Sequence, residues 1–405
     1  MNIVPAKIFK GDKIIWGIIL ILSIVSLLAV YSSTGTLVFR NQETSLFYYL
    51  LRHGGLLIAG IIIILFFQNI PVSFYNRISV LLILITIPLL VYTLFKGTNI
   101  NEANRWVTLP IAGISFQSSD LAKFSLVIYI SRFLAKYQYD NDSIEFKKDF
   151  KILTVIIFTI CALIFPANFS TAFMLFITSI LLLFLGRIKW KYLFYLLSIG
   201  IISAVLFLTV AFLFFPEKGR VSTWKNRIET YLNSNKADND DIYQIEQSKI
   251  AIASGGLFGK GPGNSTQRNF LPHPYSDFIF SIIVEEYGFF IGALLIVMLY
   301  MILLYRVGII VKTAKRAFPA ILAIGLIIMI ILQAIVNMGV ATAIFPVTGQ
   351  TLPLISMGGT SIIFTSVSLG IILNISNQIK QDNKVPSQQN FVDDDNNNEH
   401  KNVEQ

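Results

Sequence analysis

An all-α, polytopic membrane fold is predicted for this chain, with about ten transmembrane helices and one large loop outside the membrane. Three observations predict it. The 405 residues are 54% hydrophobic and only 14% charged, with a mean hydropathy of +0.67, too apolar for a soluble domain. Apolar runs of roughly 17–25 residues, the length that crosses a bilayer as a helix, recur along nearly the whole chain. The basic residues stand in short clusters between those runs, a pattern that sets topology and leaves no nucleic-acid patch despite a formal charge of +9. The single cysteine, Cys161, lies inside an apolar run and excludes an intrachain disulfide.

The expected spans lie near 14–33, 47–67, 77–95, 119–138, 152–166, 169–186, 190–215, 276–304, 318–345 and 355–376. The first is long and lacks a small-residue exit, so it reads as a retained helix and not as a cleaved signal. The fifth and sixth are short and separated only by Pro166, Ala167 and Asn168; an alternative makes them half-helices or a hairpin that does not fully cross. Residues 1–13 then form a cytoplasmic N-terminus, 14–377 the membrane domain and 378–405 a disordered cytoplasmic tail rich in Asn, Asp and Gln.

Lysines and arginines place both termini in the cytoplasm. Lys7, Lys10 and Lys13 precede the first span, Lys136, Lys147, Lys148 and Lys151 follow the fourth, Arg187, Lys189 and Lys191 follow the sixth, and Arg306, Lys312, Lys315 and Arg316 follow the eighth. The opposite short loops hold little beyond Arg40, Lys96 and Arg105. The outer face therefore receives the 96–118 loop, Asn168, the large 216–275 loop between spans seven and eight, and the 346–354 turn. In the large loop, Val221, Trp224, Ile228 and Tyr231 recur at the spacing of an interfacial helix. Ile242, Ile245, Lys249 and Ile252 suggest a second helix, stopped by Gly255 and Gly256.

Chemistry concentrates on that face. Residues 255–263 form a Gly-rich loop whose Lys260 and free backbone N–H groups would suit an anionic head group. Arg220 and Arg268 are further cations of the large loop. Ser276 is the expected N-cap of the next helix, with Asp277 in its first turn, where the helix dipole favours the ionised form. Phe278, Phe280 and partial desolvation push the other way, towards a working base. An acid capping a helix start is the plainer account of Asp277 on its own. Glu285 and Glu286, deeper in the span, suit structural roles, paired with a buried cation or hydrogen-bonded in the bundle. Asp120 and Lys123 share one helix face and can pair or flank a ligand. For Asn168 helix capping is the simpler account, and His273, between two prolines, reads equally as a solvated loop residue. The Pro- and Gly-punctuated stretch 346–361, with Ser356, must pack against protein or line a polar cavity. Cations beside one carboxylate at a membrane surface suggest group transfer on a lipid-linked phosphate.

The segments RWVTLPIAGISFQSSDLAK, GGLFGKGPGNSTQRNFLPHPYSDFIFSIIVEEYGFFIG and NMGVATAIFPVTGQTLPLISMGGTSIIF carry a resemblance to the SEDS family, the FtsW/RodA/SpoVE polymerases of peptidoglycan. It spans roughly residues 14–377 in matching order. Thr348 to Pro353 with Ser356 to Gly359 is more similar to the division-type FtsW than to RodA. The resemblance implies an inverting glycosyltransferase that polymerises lipid II, an undecaprenyl-pyrophosphate-linked disaccharide-peptide, at the outer face of a bacterial cytoplasmic membrane. Asp277 matches the family's essential aspartate, the base on the acceptor's 4-hydroxyl. Arg105 and Lys123 match cations that stabilise the pyrophosphate. Asp120, Lys260, Asn168, His273 and Ser356 complete the expected substrate-binding set.

A class B penicillin-binding protein and other division-complex membrane proteins are the implied partners. A divalent cation, Mg2+ or Mn2+, is compatible with the resemblance, but no ligand cluster of specific spacing stands in the sequence. Two departures matter: Gln117-Ser118-Ser119-Asp120 replaces the family's Gln-Pro-Ser-Glu, and Asn168 stands where the family commonly has Asp. Lipid II translocation, the elongation-type polymerase and a non-catalytic scaffold are the alternatives. A translocator needs a continuous polar path to the cytoplasm, whereas the polar residues here gather at one end.

Overall fold

The computed structural model describes residues 9–35, 46–100, 103–108, 115–140, 142–214 and 240–401. The helices are α1 (Lys13–Ser33), α2 (Leu46–Phe67), α3 (Val72–Lys96), α4 (Ser118–Lys136), α5 (Ile144–Ile164), α6 (Phe169–Leu185) and α7 (Trp190–Phe214), then α8 (Asp240–Gly255), α9 (Ile279–Tyr287), α10 (Leu295–Lys312), α11 (Ala317–Ala341) and α12 (Gly359–Lys401). Every expected span finds a helix, with α9 and α10 together making the eighth, and α8 is the helix expected before Gly255. Seven of these spans are long and apolar enough to cross a membrane by length and composition alone. The interfacial helix expected over Val221–Tyr231 lies outside the described residues.

Caps explain several starts. Asp12 accepts from the N–H groups of Ile14 at 2.8 Å and Ile15 at 3.3 Å at the head of α1. Ser143 accepts from Phe146 N–H at 3.1 Å, so α5 begins eight residues before the expected span and its charged first turns are helical. Helices α5 and α6, 21 and 17 residues long, are joined by a tight turn into a helical hairpin, and neither is among the seven helices long and apolar enough to cross on those grounds alone. The helical backbone of α12 runs on to Lys401, through the segment from 378 expected to be disordered.

Burial sorts the bundle into inner and outer helices. In α12, 78% of the apolar window is buried, and in α11 56%, against 11% in α7. The inner α4 is polar for a span, burying Ser118, Ser119, Asp120, Lys123, Ser125 and Ser131. Outer helices expose apolar stripes at helical spacing, Leu20, Ile24 and Leu28 on α1 and Ile58, Ile62 and Phe66 on α2, as a lipid-facing surface requires.

Two features depart from a plain helical bundle. Strands β1 (Thr98–Ile100), β2 (Ala103–Thr108) and β3 (Ser115–Gln117) form a small antiparallel sheet in order β1-β2-β3, Trp106 pairing Thr98 on one side and Gln117 on the other. The sheet feeds directly into α4. The eighth span is interrupted by a π-helical turn, Gly288–Leu294. Its cause lies in the Gly-rich loop: Phe289 N–H donates to Gly256 O at 2.9 Å and Phe290 N–H to Leu257 O at 3.3 Å, so these groups bond outside the helix. Gly259 has φ +82°, and a Cβ there would stand 2.2 Å from Glu286 O, so only glycine permits this approach.

Candidate active site

Asp277 lies in the turn just ahead of α9, whose first residue is Ile279 and whose N-cap is Phe278. Ser276 is therefore not the cap; its hydroxyl donates to Asp277 Oδ1 at 2.8 Å. The turn is anchored by apolar packing of Phe278 with Leu271, Ile282, Val340 and Val347. Phe278 is buried to this extent because it turns inward as α9 begins, leaving Asp277 half-buried beside it.

The backbone of this turn is fastened to the stretch 346–357 and to α11. Ser356 Oγ donates to Ser276 O at 2.7 Å and accepts from Leu352 N–H at 2.7 Å. Met357 N–H donates to Tyr275 O at 2.9 Å. Asn337 Nδ2 donates to Asp277 O at 2.9 Å and to Gln350 O at 2.7 Å. Gly349 adopts φ +65°, and a Cβ there would stand 3.6 Å from Asp277 Oδ2. Gln350 Nε2 reaches across to Thr171 Oγ1 on α6 at 2.7 Å. The Pro/Gly stretch is thus a polar hub packed against protein, one of the two arrangements its sequence allowed.

Asp120 and Lys123 pair at 2.8 Å, with side chains 7% and 6% exposed. Lys123 Nζ also donates to Gln333 Oε1 at 3.3 Å, and Gln333 Nε2 donates to Thr351 O at 3.0 Å. Lys123 is therefore a neutralised, buried cation and not an open one. Arg105 sits in β2, and its side chain, like Arg220, lies outside the described residues.

Lys260 is likewise engaged. Its Nζ donates to Glu285 Oε1 at 2.6 Å and to Thr266 Oγ1 at 3.1 Å. Glu285 also accepts from Ser265 Oγ at 2.5 Å and from the N–H groups of Thr266 and Gln267, at 3.1 and 3.3 Å. Lys260 N–H donates to Glu285 O at 3.0 Å and Gly261 N–H to Glu286 O at 2.9 Å. The Gly-rich loop accordingly spends these N–H groups capping the end of α9; it is not an open anion cradle. Glu286 accepts from Ser32 Oγ and from Ser265 N–H. Arg268 Nη1 donates to Ser32 O and Oγ, both at 3.1 Å. Both buried glutamates are hydrogen-bonded within the bundle, Glu285 also to the exposed Lys260.

Asn168 caps α6, its Oδ1 accepting from Thr171 N–H at 3.3 Å. It also borders a cavity of about 10 Å³ with Thr93, Ser118 and Ser119, room for about one water. His273 Nδ1 lies 3.5 Å from Tyr275 OH, and the rings meet edge-on. Among the described residues no three His, Cys, Asp or Glu side chains gather to hold a metal ion.

Gln333 and Asn337 were missed in the sequence. Their signal was available: they are the two amides of an otherwise apolar helix, and i, i+4 spacing puts them on one face. Together with Gln350 they join the ion pair of α4 to the Asp277 turn.

A bundle of long apolar helices whose polar network converges at one end on a half-buried carboxylate defines a multi-pass membrane protein. The chain belongs to the FtsW/RodA/SpoVE family: the family model described as "Cell cycle protein" matches residues 12–381. It is 30% identical over 370 residues to a Coxiella burnetii protein named "Probable peptidoglycan glycosyltransferase FtsW", covering 89% of this chain and 95% of that one. It is 32% identical over 372 residues to "Stage V sporulation protein E" of Bacillus subtilis, covering 90% and 96%. A solved structure described as "Structural coordination of polymerization and crosslinking by a peptidoglycan synthase complex" matches with TM-score 0.69 at 22% identity, covering 92% of this chain and 99% of that one. Thermus thermophilus RodA matches with TM-score 0.63 at 22% identity, covering 90% and 96%. At such identity these structures establish the fold.

Proposed function

We propose that this chain is a peptidoglycan glycosyltransferase of the division type, polymerising lipid II at the outer face of the bacterial cytoplasmic membrane. The observation that carries this reading is Asp277, half-buried in a turn whose backbone is fastened from two sides. Family membership supplies the reaction class. Relatives named FtsW support the division role, and the fold shared with a peptidoglycan synthase complex described as coordinating polymerization and crosslinking is in keeping with a crosslinking transpeptidase partner.

In the proposed step, the Asp277 carboxylate takes the proton of the acceptor sugar's 4-hydroxyl. That oxygen forms the new bond to the donor's anomeric carbon from the face opposite the leaving group. The anomeric carbon–oxygen bond to undecaprenyl pyrophosphate breaks, its electron pair leaves with the pyrophosphate, and configuration inverts. Cations stabilise the charge that develops on the leaving group. Asp120 offsets Lys123 within its own ion pair, and Arg105 is the other cation the family resemblance assigns to this work.

Translocation fits less well. At the end opposite Asp277, Arg306 on α10 bonds the α1 cap Asp12 at 2.5 Å, and Asn374 on α12 bonds Ile70 O beyond α2. A polar path would have to part these contacts. The test is polymerisation of labelled lipid II by purified protein with its cognate transpeptidase: glycan chains are expected, and unextended lipid II under conditions that support a related polymerase refutes the proposal.

A further inference from the structure

We propose that Asn337 is the positioning residue for Asp277, an inference that rests on Asp277 being the base. Helix α11 carries two amides in an apolar sequence, Gln333 and Asn337, 6% and 1% exposed. Burying amides among hydrocarbon is unfavourable unless their hydrogen bonds do something apolar packing cannot. Asn337 spends both Nδ2 hydrogens on main-chain carbonyls, one of Asp277 itself and one of Gln350. Because both partners are carbonyls, the nitrogen must face them, and the amide orientation is fixed by chemistry. Its Oδ1 is buried with no hydrogen-bond partner among the described residues. An acceptor left bare while both donors are satisfied marks a side chain placed for its N–H groups.

The two carbonyls belong to segments far apart in the chain, the turn before α9 and the hub before α12. Asn337 pins them together at the carboxylate. One turn earlier, Gln333 bonds Lys123 at 3.3 Å and Thr351 at 3.0 Å, so the same helix face registers the α4 ion pair against the same hub. Ser356 supplies a second tether at Ser276. Asn337 touches Asp277 through its main-chain carbonyl and not through its carboxylate. It acts on the reaction only through the position of the base. A displacement of about 1 Å at a reacting group costs on the order of a hundredfold in rate.

The test is steady-state kinetics of lipid II polymerisation by full-length protein with its transpeptidase, for Asn337→Leu and Asn337→Asp beside wild type. Asn337→Leu removes both donors with a somewhat larger apolar side chain, and Asn337→Asp keeps the size while its carboxylate offers only acceptors to the two carbonyls. The expected result is kcat lower by about 10- to 100-fold with KM for lipid II changed less than about twofold. Hydrogen exchange over residues 274–278 is expected to quicken while α1 to α3 exchange as in wild type. Wild-type kcat in either folded variant overturns the proposal, as does a raised KM at unchanged kcat, which makes Asn337 a substrate contact. If Asn337→Leu does not fold, Asn337→Asp decides. Asp277→Asn, run in parallel, separates the two readings. Near-normal polymer from it sinks the base itself, while a dead Asp277→Asn beside unaffected Asn337 variants sinks only the positioning role.

Discussion

Replacing Lys123 with methionine removes the cation of an ion pair that is 2.8 Å long and almost wholly enclosed, at 6% and 7% exposure. The stem's packing is kept, so the loss is electrostatic. Asp120 is left as a buried carboxylate without its counter-ion, and breaking a buried pair in this way costs about 3–5 kcal/mol. Gln333 loses the donor to its Oε1 as well. At roughly 2 °C per kcal/mol, the lower end for large domains, the midpoint of thermal unfolding falls on the order of 6–10 °C. Asp120→Asn costs a comparable amount by stranding the lysine. The double variant Asp120→Leu/Lys123→Met carries no stranded charge and recovers much of the loss, because a buried pair replaced by apolar residues is often nearly neutral. The assay is thermal unfolding in detergent for the two singles and the double, with lipid II polymerisation alongside. A Lys123→Met protein as stable as wild type, or a double variant less stable than both singles, refutes the view that the pair is primarily structural.

Gly259→Ala should be poorly tolerated, since φ +82° and a Cβ 2.2 Å from Glu286 O force the Gly-rich loop off α9; normal yield and midpoint in detergent contradict this. For Asp12, burial raises the pKa, but the Arg306 hydrogen bond and the Ile14 and Ile15 N–H groups outweigh it and hold the carboxyl below its ordinary 3.8. A depressed folded pKa stabilises above the unfolded value and is lost as pH falls through the folded one. Asp12→Asn should thus lower stability at neutral pH, with the gap to wild type closing below the ordinary carboxylate range; a gap independent of pH speaks against this linkage.

How much of this was legible in the chain follows from the range of the forces involved. Helices α1 to α3, α7 and α11 announce themselves because the bilayer requires long apolar runs, a local property of sequence. Helix α8 shows in the spacing of Ile242, Ile245 and Ile252, and the capping role of Asn168 in its place before Phe169. That Glu285 and Glu286 would be hydrogen-bonded inside the bundle was inferable from the cost of burying charge. What was not legible depends on contacts distant in sequence. The π turn at Gly288 and the spent N–H groups of Lys260 and Gly261 arise from two segments about thirty residues apart meeting, which no local period encodes. The sheet over 98–117 was hidden because its strands are only three to six residues long. Asp277 falls short of the first helical turn because Phe278 turns into its own apolar cluster.

The most direct measurement is glycan-chain formation from labelled lipid II by purified protein with its transpeptidase, wild type beside Asp277→Asn. The asparagine keeps size and hydrogen bonding but cannot take a proton at neutral pH. The account predicts polymer from the wild type and none from a folded, lipid II-binding Asp277→Asn protein. Chains formed by the variant at near wild-type rate would contradict it.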